Sequence, residues 1–408
     1  MGERVTGKEV DIGKEVKWQL RKMEIGSIYE INPETVPAGE GPGTLFSLKE
    51  TEKYGKSNIA FTASGRSAIA LALKSYARNR GQRNEIKSCL LPAYMCDTVF
   101  FPFQWEGWEI GFYHINKNLE ADAEELSRLI EELRPNLLFI HPYYGVDTWK
   151  PMRSLLKEWK AQGICIMEDM TQSYYLENAG EEADYVVGSL RKWYPIPDGG
   201  FVASNEPLAL DVLANEEEFA KKRLDCLMEK WVYLYGGHDG EEKKAMKEGF
   251  LKKNREMEAQ MDVHREIGAL SKTSAGILER SNEKEFRDRR NENYRYLWER
   301  LEGNSKEKSW CWPILPRLRG KEEKSAAPLY FPVYAKDRNG LQKFLAERNI
   351  YAPVLWPVGK ENEGCLTADE EFIFNHMLAL PMDQRYGKDE MERISKALEE
   401  YEGEQVTV

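Results

Sequence analysis

The sequence of 408 residues lacks several features that would narrow its class at once. It has no run of about 18 apolar residues, so it predicts no membrane span. The opening Met1-Gly2-Glu3-Arg4 is polar and has no apolar stretch of the secretory kind, which makes the cytoplasm the expected location. None of the six cysteines (Cys89, Cys96, Cys165, Cys226, Cys311 and Cys365) forms a C-x-x-C pair, so neither a zinc site nor a redox motif is signalled. Histidine is scarce, with five in the chain, and no metal constellation is expected. Positive charge is in deficit, with a net charge of −11, which argues against nucleic acid or an anionic membrane surface as partners. A small phosphate-bearing ligand in a local pocket remains compatible. A glycine fingerprint is missing too. Val36-Pro37-Ala38-Gly39-Glu40-Gly41-Pro42-Gly43 has G-x-G spacing, but no apolar strand precedes it and Pro42 interrupts it, so it reads as a turn-rich arm.

What is present is a soluble composition, 41% hydrophobic and 31% charged, on a chain long enough for two or three domains. From Asn58 onward, short apolar runs alternate with segments of helical period. Asn58–Phe61 leads into a helical stretch over Arg66–Tyr76, followed by apolar runs at Cys89–Leu91 and Val99–Phe103. Trp108–His114 and Leu137–His141 read as strands around an amphipathic helix over Ala121–Leu133. Ser154–Ala161 reads as a helix, and Ile164–Met167, Asp184–Leu190 and Gly200–Ala203 as further strands. This alternation predicts an α/β architecture, a mainly parallel sheet covered by helices on both faces. Ligands of such sheets sit beyond the carboxyl ends of the strands. Residues 205–290 turn charged and helical, broken at Gly236-Gly237-His238-Asp239-Gly240, and read as solvated helix faces. Strand-like runs return at Leu329–Val333 and Tyr351–Leu355. With the helices over Gly340–Arg348 and Lys388–Tyr401 they predict a small α+β unit. The expected division is an arm over 1–57, a large domain over 58–290 and a small C-terminal domain over 291–408.

Four places beyond strand ends carry candidate chemistry. Lys192 follows a buried strand in an aromatic, proline-bound turn, Leu190-Arg191-Lys192-Trp193-Tyr194-Pro195. Burial and a neighbouring Arg191 disfavour an ammonium, which is how a lysine becomes a Schiff-base nucleophile; a loop lysine without a role is the alternative. Asp169 ends the strand over Ile164–Met167, with Gln172 three residues on; a capping Asp and a surface Gln fit equally. Ser64-Gly65-Arg66-Ser67 opens a helix, offering backbone N–H groups and a favourable dipole to a phosphate, or simply an N-cap. Leu91-Pro92-Ala93-Tyr94-Met95-Cys96 places Tyr94 either against a ligand ring or in the core. Arg191 and Arg385 are candidate carboxylate clamps, with structural ion pairs the simpler reading.

The order of these motifs resembles fold-type-I pyridoxal 5′-phosphate (PLP) enzymes, and more closely the DegT-type aminotransferases, many of which aminate nucleotide-linked keto sugars. His141-Pro142-Tyr143-Tyr144-Gly145 and the Leu-Pro ending of Phe374–Met382 are similar to segments of that family. The resemblance covers about residues 55–205 and, less closely, 325–401. It implies a seven-stranded-type, mainly parallel sheet, a PLP cofactor, small-molecule substrates and a homodimer. Residue by residue, it implies that Lys192 holds the cofactor and shuttles a proton. Asp169 would pair with the pyridine nitrogen and Gln172 with the ring oxygen. Ser64, Gly65, Arg66 and Ser189 would hold the phosphate, and Tyr94 would stack on the ring. Two departures stand out: Ser189 and Lys192 are three apart where the family often has five, and the family's Asn-x-Arg-Met segment is missing. The implied reaction is transfer of an amino group from a donor such as glutamate to a carbonyl acceptor. The alternatives are another PLP reaction, a regulatory or scaffolding protein of the same fold, and a nucleotide-binding oxidoreductase. The oxidoreductase would need a glycine fingerprint after the first strand, and Ser64-Gly65-Arg66-Ser67 does not supply one.

Overall fold

The computed structural model describes residues 24–36, 53–81 and 87–406, apart from 178, 307, 321 and 323–325. Most of the expected arm, including residues 37–43 of its G-x-G-like segment, lies outside the described residues.

Seven strands form the main sheet: β1 (Asn58–Thr62), β2 (Ser88–Pro92), β3 (Glu109–Tyr113), β4 (Leu137–Ile140), β5 (Cys165–Asp169), β6 (Tyr185–Ser189) and β7 (Gly200–Ser204). Their spatial order is β1-β7-β6-β5-β4-β2-β3. All run parallel except β7, which is antiparallel to both of its neighbours. The strands are apolar runs because both faces are covered. Leu138, Ile140 and Ile166 point into one core, while Leu137, Phe139 and Met167 point into the other. Successive side chains of a strand face opposite ways, so a strand between two helical layers needs apolar residues at every position.

The helix α1 (Gly65–Asn79) buries Ala68 through Leu73 on one face of the sheet, beside α2 (Phe100–Trp105). The apolar run over Val99–Phe103 is therefore helical. Helices α3 (Ala123–Leu133) and α4 (Arg153–Ala161) cover the other face through Leu126, Ile130, Leu156 and Trp159. Beyond the sheet run α5 (Glu217–Tyr235), α6 (Gly240–Val263), α7 (Lys272–Arg280) and α8 (Glu283–Leu301). The first two pack together through Cys226, Tyr233, Phe250 and Met257, with the break between them at residues 236–239.

The C-terminal part carries an antiparallel sheet, β8 (Cys311–Pro313), β9 (Phe331–Ala335) and β10 (Met377–Leu380), with helices α9 (Arg338–Glu347), α10 (Ala368–His376) and α11 (Lys388–Val406). The run expected as a strand over Tyr351–Leu355 is a strand only at its start, and further on the Pro353 carbonyl accepts a single bond from the Ala379 N–H at 3.0 Å. Ile350–Tyr351 lies parallel to Ile25–Gly26 from the other end of the chain. No helix among the described residues is long and apolar enough to cross a membrane.

Candidate functional site

The carboxyl ends of β4, β5 and β6 and the start of α1 enclose a cavity of about 290 Å³. Ser64, Gly65, Arg66, Asp169, Gln172, Ser189 and Lys192 line it together. They come from three separate stretches of chain, gathered because each follows or ends a strand of one sheet.

At one end is the α1 terminus. Ser64 is the N-cap, and its hydroxyl accepts from the Ser67 N–H at 3.1 Å. The N–H groups of Gly65 and Arg66 have no hydrogen-bond partner among the described residues. Two free donors and the helix dipole make this an anion cradle. Glycine is needed at Gly200, where a Cβ would lie 2.3 Å from the Ser64 carbonyl oxygen, and the approach is close at Gly65, where a Cβ would lie 3.2 Å from the Ser189 Cβ. The Ser189 N–H donates to the Thr171 hydroxyl at 3.1 Å. The Arg66 guanidinium pairs with Asp262 at 2.5 Å.

At the other end, Asp169 uses Oδ1 to accept from the Thr171 N–H at 2.9 Å. Its Oδ2 lies 3.2 Å from His141 Nδ1. The alignment is poor, and both nitrogens of the buried His141 ring lack a hydrogen-bond partner. The Gln172 carbonyl oxygen accepts from the Tyr144 N–H at 3.0 Å, leaving its amide nitrogen to the cavity wall.

Lys192 closes a 3-10 turn, Leu190–Lys192, directly after β6. Trp193 anchors the turn, fully buried, with its indole N–H donating to the Thr171 carbonyl at 2.9 Å. Asp198 anchors the following segment, accepting from the Ser271 N–H at 2.8 Å and its hydroxyl at 2.6 Å at the head of α7. The Lys192 side chain is exposed to the cavity yet deep in protein. Its amine has no hydrogen-bond or ion-pair partner among the described residues. Burial, then the Arg191 charge, pushes its pKa below the ordinary lysine value, while Glu258 opposes the shift. A lowered lysine pKa leaves more free amine near neutrality.

Tyr94 is placed differently from the sequence expectation. It does not line the cavity. It is fully buried among Tyr143, Trp356 and Phe374, with its hydroxyl 3.2 Å from the Tyr144 hydroxyl and bonded to the Leu355 carbonyl. The aromatic ring on this part of the wall is Trp356, near Met95 and Cys96. Arg385 is held by Asp383 and Glu30, each at 2.8 Å, and borders a neighbouring chamber. Sequence reasoning missed Thr171, Trp356 and Glu258. Thr171 lay inside the motif already singled out. Glu258 gave no signal, being one acid in a charged helix. Elsewhere Glu216, His264 and Glu266 bring ligand atoms within 4.8 Å of one another, but His264 and Glu266 are exposed and His264 is already paired with Glu216.

A seven-stranded sheet of this order, covered on both faces, is the fold of fold-type-I PLP enzymes. The fold is that of the DegT-type aminotransferases. PseC of Helicobacter pylori, an aminotransferase involved in the biosynthesis of pseudoaminic acid, superposes with a TM-score of 0.64 at 14% identity, covering 94% of this chain and 100% of that one. NtdA of Bacillus subtilis, solved with its cofactor PMP bound, gives 0.62 at 15%, covering 95% and 81%. A DegT DnrJ EryC1 StrS aminotransferase of Brucella abortus gives 0.59 at 16%, covering 98% and 100%. No family model matches the sequence. A serine hydroxymethyltransferase of Methanothermobacter thermautotrophicus is 28% identical over 109 residues, so the match spans about a quarter, 24%, of that enzyme.

Proposed function

We propose that the chain is a PLP-dependent aminotransferase that moves an amino group from an amino acid such as glutamate to a carbonyl acceptor of the keto-sugar class. The observation that carries this reading is the unpartnered Lys192 amine on the same cavity as the Asp169 carboxylate and the free N–H groups of Gly65 and Arg66.

These residues suit the cofactor's three polar ends. The α1 terminus, with the Ser64 and Ser189 hydroxyls, would bind the phosphate. The unpartnered His141 and the Asp169 Oδ2 suit a protonated ring nitrogen, and the Gln172 amide suits the ring oxygen. Bound PLP supplies an electron-poor ring that makes the neighbouring C–H bond of an amine acidic. Asp169 would keep a proton on the ring nitrogen. Lys192 would hold the cofactor and, as a free amine, would carry a proton at Nζ. Trp356 and Met95 would exclude water from one side.

The test is an absorbance spectrum with added PLP, for wild type and Lys192→Ala. The wild type should show a band near roughly 400–430 nm that borohydride abolishes, and the variant should not. Glutamate should then convert it to the pyridoxamine form. A wild type with no such band would leave the scaffolding reading standing, and a band that glutamate leaves unchanged would favour a different PLP reaction. The further elements of this reading are a homodimer, the cytoplasm, no nucleic-acid partner, and the division at about residues 57 and 290.

A further inference from the structure

The Lys192 cavity meets a larger chamber of about 680 Å³, and Arg191, Lys192 and Glu258 line both. Seven lysines and arginines face that chamber against three carboxylates, in a chain whose net charge is −11. Several of these cations have carboxylates of their own. Arg385 has Asp383 and Glu30, and Lys247 has Glu24.

Arg191 and Arg223 are short of partners. Both reach the same oxygen of Glu258, Arg191 Nη1 at 3.2 Å and Arg223 Nη1 at 2.5 Å. The Nε of each is buried with no hydrogen-bond partner. No hydrogen bond among the described residues uses the Nη2 of either. Two guanidiniums on one carboxylate leave one positive charge unbalanced beside Lys192. Burial, then Arg191, lowers the Arg223 pKa to about 10, which still leaves it charged at neutral pH. Burial would raise the Glu258 carboxyl, but the two guanidiniums overcome it and hold it well below the usual carboxylate range. Glu258 is half-exposed, and what it faces is the chamber.

We propose that Arg191 and Arg223 form a carboxylate-binding subsite for the amino donor, and that Glu258 occupies it in the free protein until the donor's carboxylate takes its place. The donor's identity rests on the aminotransferase reading; the subsite does not. Guanidinium forks bind carboxylates by paired, charge-assisted hydrogen bonds. An incoming carboxylate would remake the bonds that Glu258 gives up, at the same local charge. An amine without a carboxylate has nothing to offer in exchange, so occupancy by Glu258 also acts as a filter. Arg223 sits on α5 and Glu258 on α6, so the packing of these two helices brings the device together.

The experiment is calorimetric titration of the PLP-treated protein with glutarate, an unreactive dicarboxylate, with inorganic phosphate and uncharged glutaramide as controls. Glutarate should bind wild type and glutaramide should not. Glu258→Gln, which removes the competitor, should tighten glutarate at least tenfold. Arg223→Gln should weaken it at least tenfold. If Arg223→Gln fails to fold, the Glu258→Gln shift decides alone. The proposal is overturned if Glu258→Gln leaves glutarate binding unchanged or weakens it, or if Arg223→Gln folds and leaves phosphate and glutarate binding both unchanged. The absorbance test separates the two readings: the expected glutarate pattern without a PLP band keeps the subsite and loses the donor, while a band without the pattern does the reverse.

Discussion

Arg290, on α8, is fully buried and has no carboxylate within ion-pairing distance among the described residues. It donates four hydrogen bonds: Nε to Gln384 Oε1 at 2.8 Å, Nη1 to the Pro328 and Leu329 carbonyls at 3.3 and 3.0 Å, and Nη2 to the Tyr29 hydroxyl at 2.9 Å. Its guanidinium also lies 4.7 Å from the centre of the Trp193 ring. Two of its acceptors hold the Lys192 turn in their own right. Tyr29 donates to the Lys192 carbonyl at 3.3 Å, and the Gln384 amide donates to the Trp193 carbonyl at 2.6 Å. Arg290→Met keeps an apolar stem of similar length and removes every donor. Four hydrogen bonds from a charged group, at about 1.5–3 kcal/mol each, set the gross loss. Relief from burying the ion returns several kcal/mol, so the net destabilisation is about 3–5 kcal/mol. Scanning calorimetry should show Tm lowered by roughly 5 °C or more. Borohydride trapping of PLP on Lys192, read by mass spectrometry, should also slow. A Tm within 1 °C of wild type would refute the stability argument. A lowered Tm with unchanged trapping would refute the claim that Arg290 positions the lysine.

Two further predictions test the site itself. Tyr94→Phe removes a buried hydroxyl bonded to Leu355 and should cost about 1–3 kcal/mol of stability, yet leave PLP affinity within twofold. Trp356→Ala should weaken PLP at least tenfold, and the opposite pattern in a fluorescence titration would return ring stacking to Tyr94. The rate of PLP trapping against pH should have its midpoint below that of free lysine, because burial and Arg191 disfavour the ammonium. Arg191→Gln removes a charge that lowers the lysine pKa, so the midpoint should rise. Glu258→Gln removes one that raises it, so the midpoint should fall; shifts of the opposite sign would contradict the arrangement of charges around Lys192.

The sheet was legible because a strand buried on both faces must be apolar throughout, and β2, β4, β5 and β6 stand out as such. Ser64, Asp169 and Lys192 were legible for a related reason, since a polar residue directly after such a strand is conspicuous. Tyr94 misled because a Pro-x-Tyr segment says where the chain turns and not which way a ring points. The rings around it come from residues 143, 356 and 374, and the partners of its hydroxyl from residues 144 and 355, far away in sequence. The run over Val99–Phe103 was short enough to suit either period, and α2 has only six residues. In α5, α6 and α8 the charges gave no useful contrast. Glu258, Arg223 and Arg290 look like any solvated acid or base until three helices and the C-terminal part close around them. Tyr351–Leu355 has strand composition, but among the described residues only its start forms a ladder, and the partner there comes from residues 25–26.

That pairing bears on how the molecule is made. Gly26 donates its N–H to the Tyr386 hydroxyl at 2.7 Å, across 360 residues, and Gly26 through Tyr29 form one wall of the chamber beside Lys192. A ribosome releases residue 26 some 360 residues before residue 386, so this segment must wait for its partners through all of the chain between them. The sheet around Lys192 can assemble before then, because its strands end at Ser204. The chamber cannot. Closure over so long a separation comes late in folding, so a chain cut short before Ile350 would carry Lys192 behind an open wall.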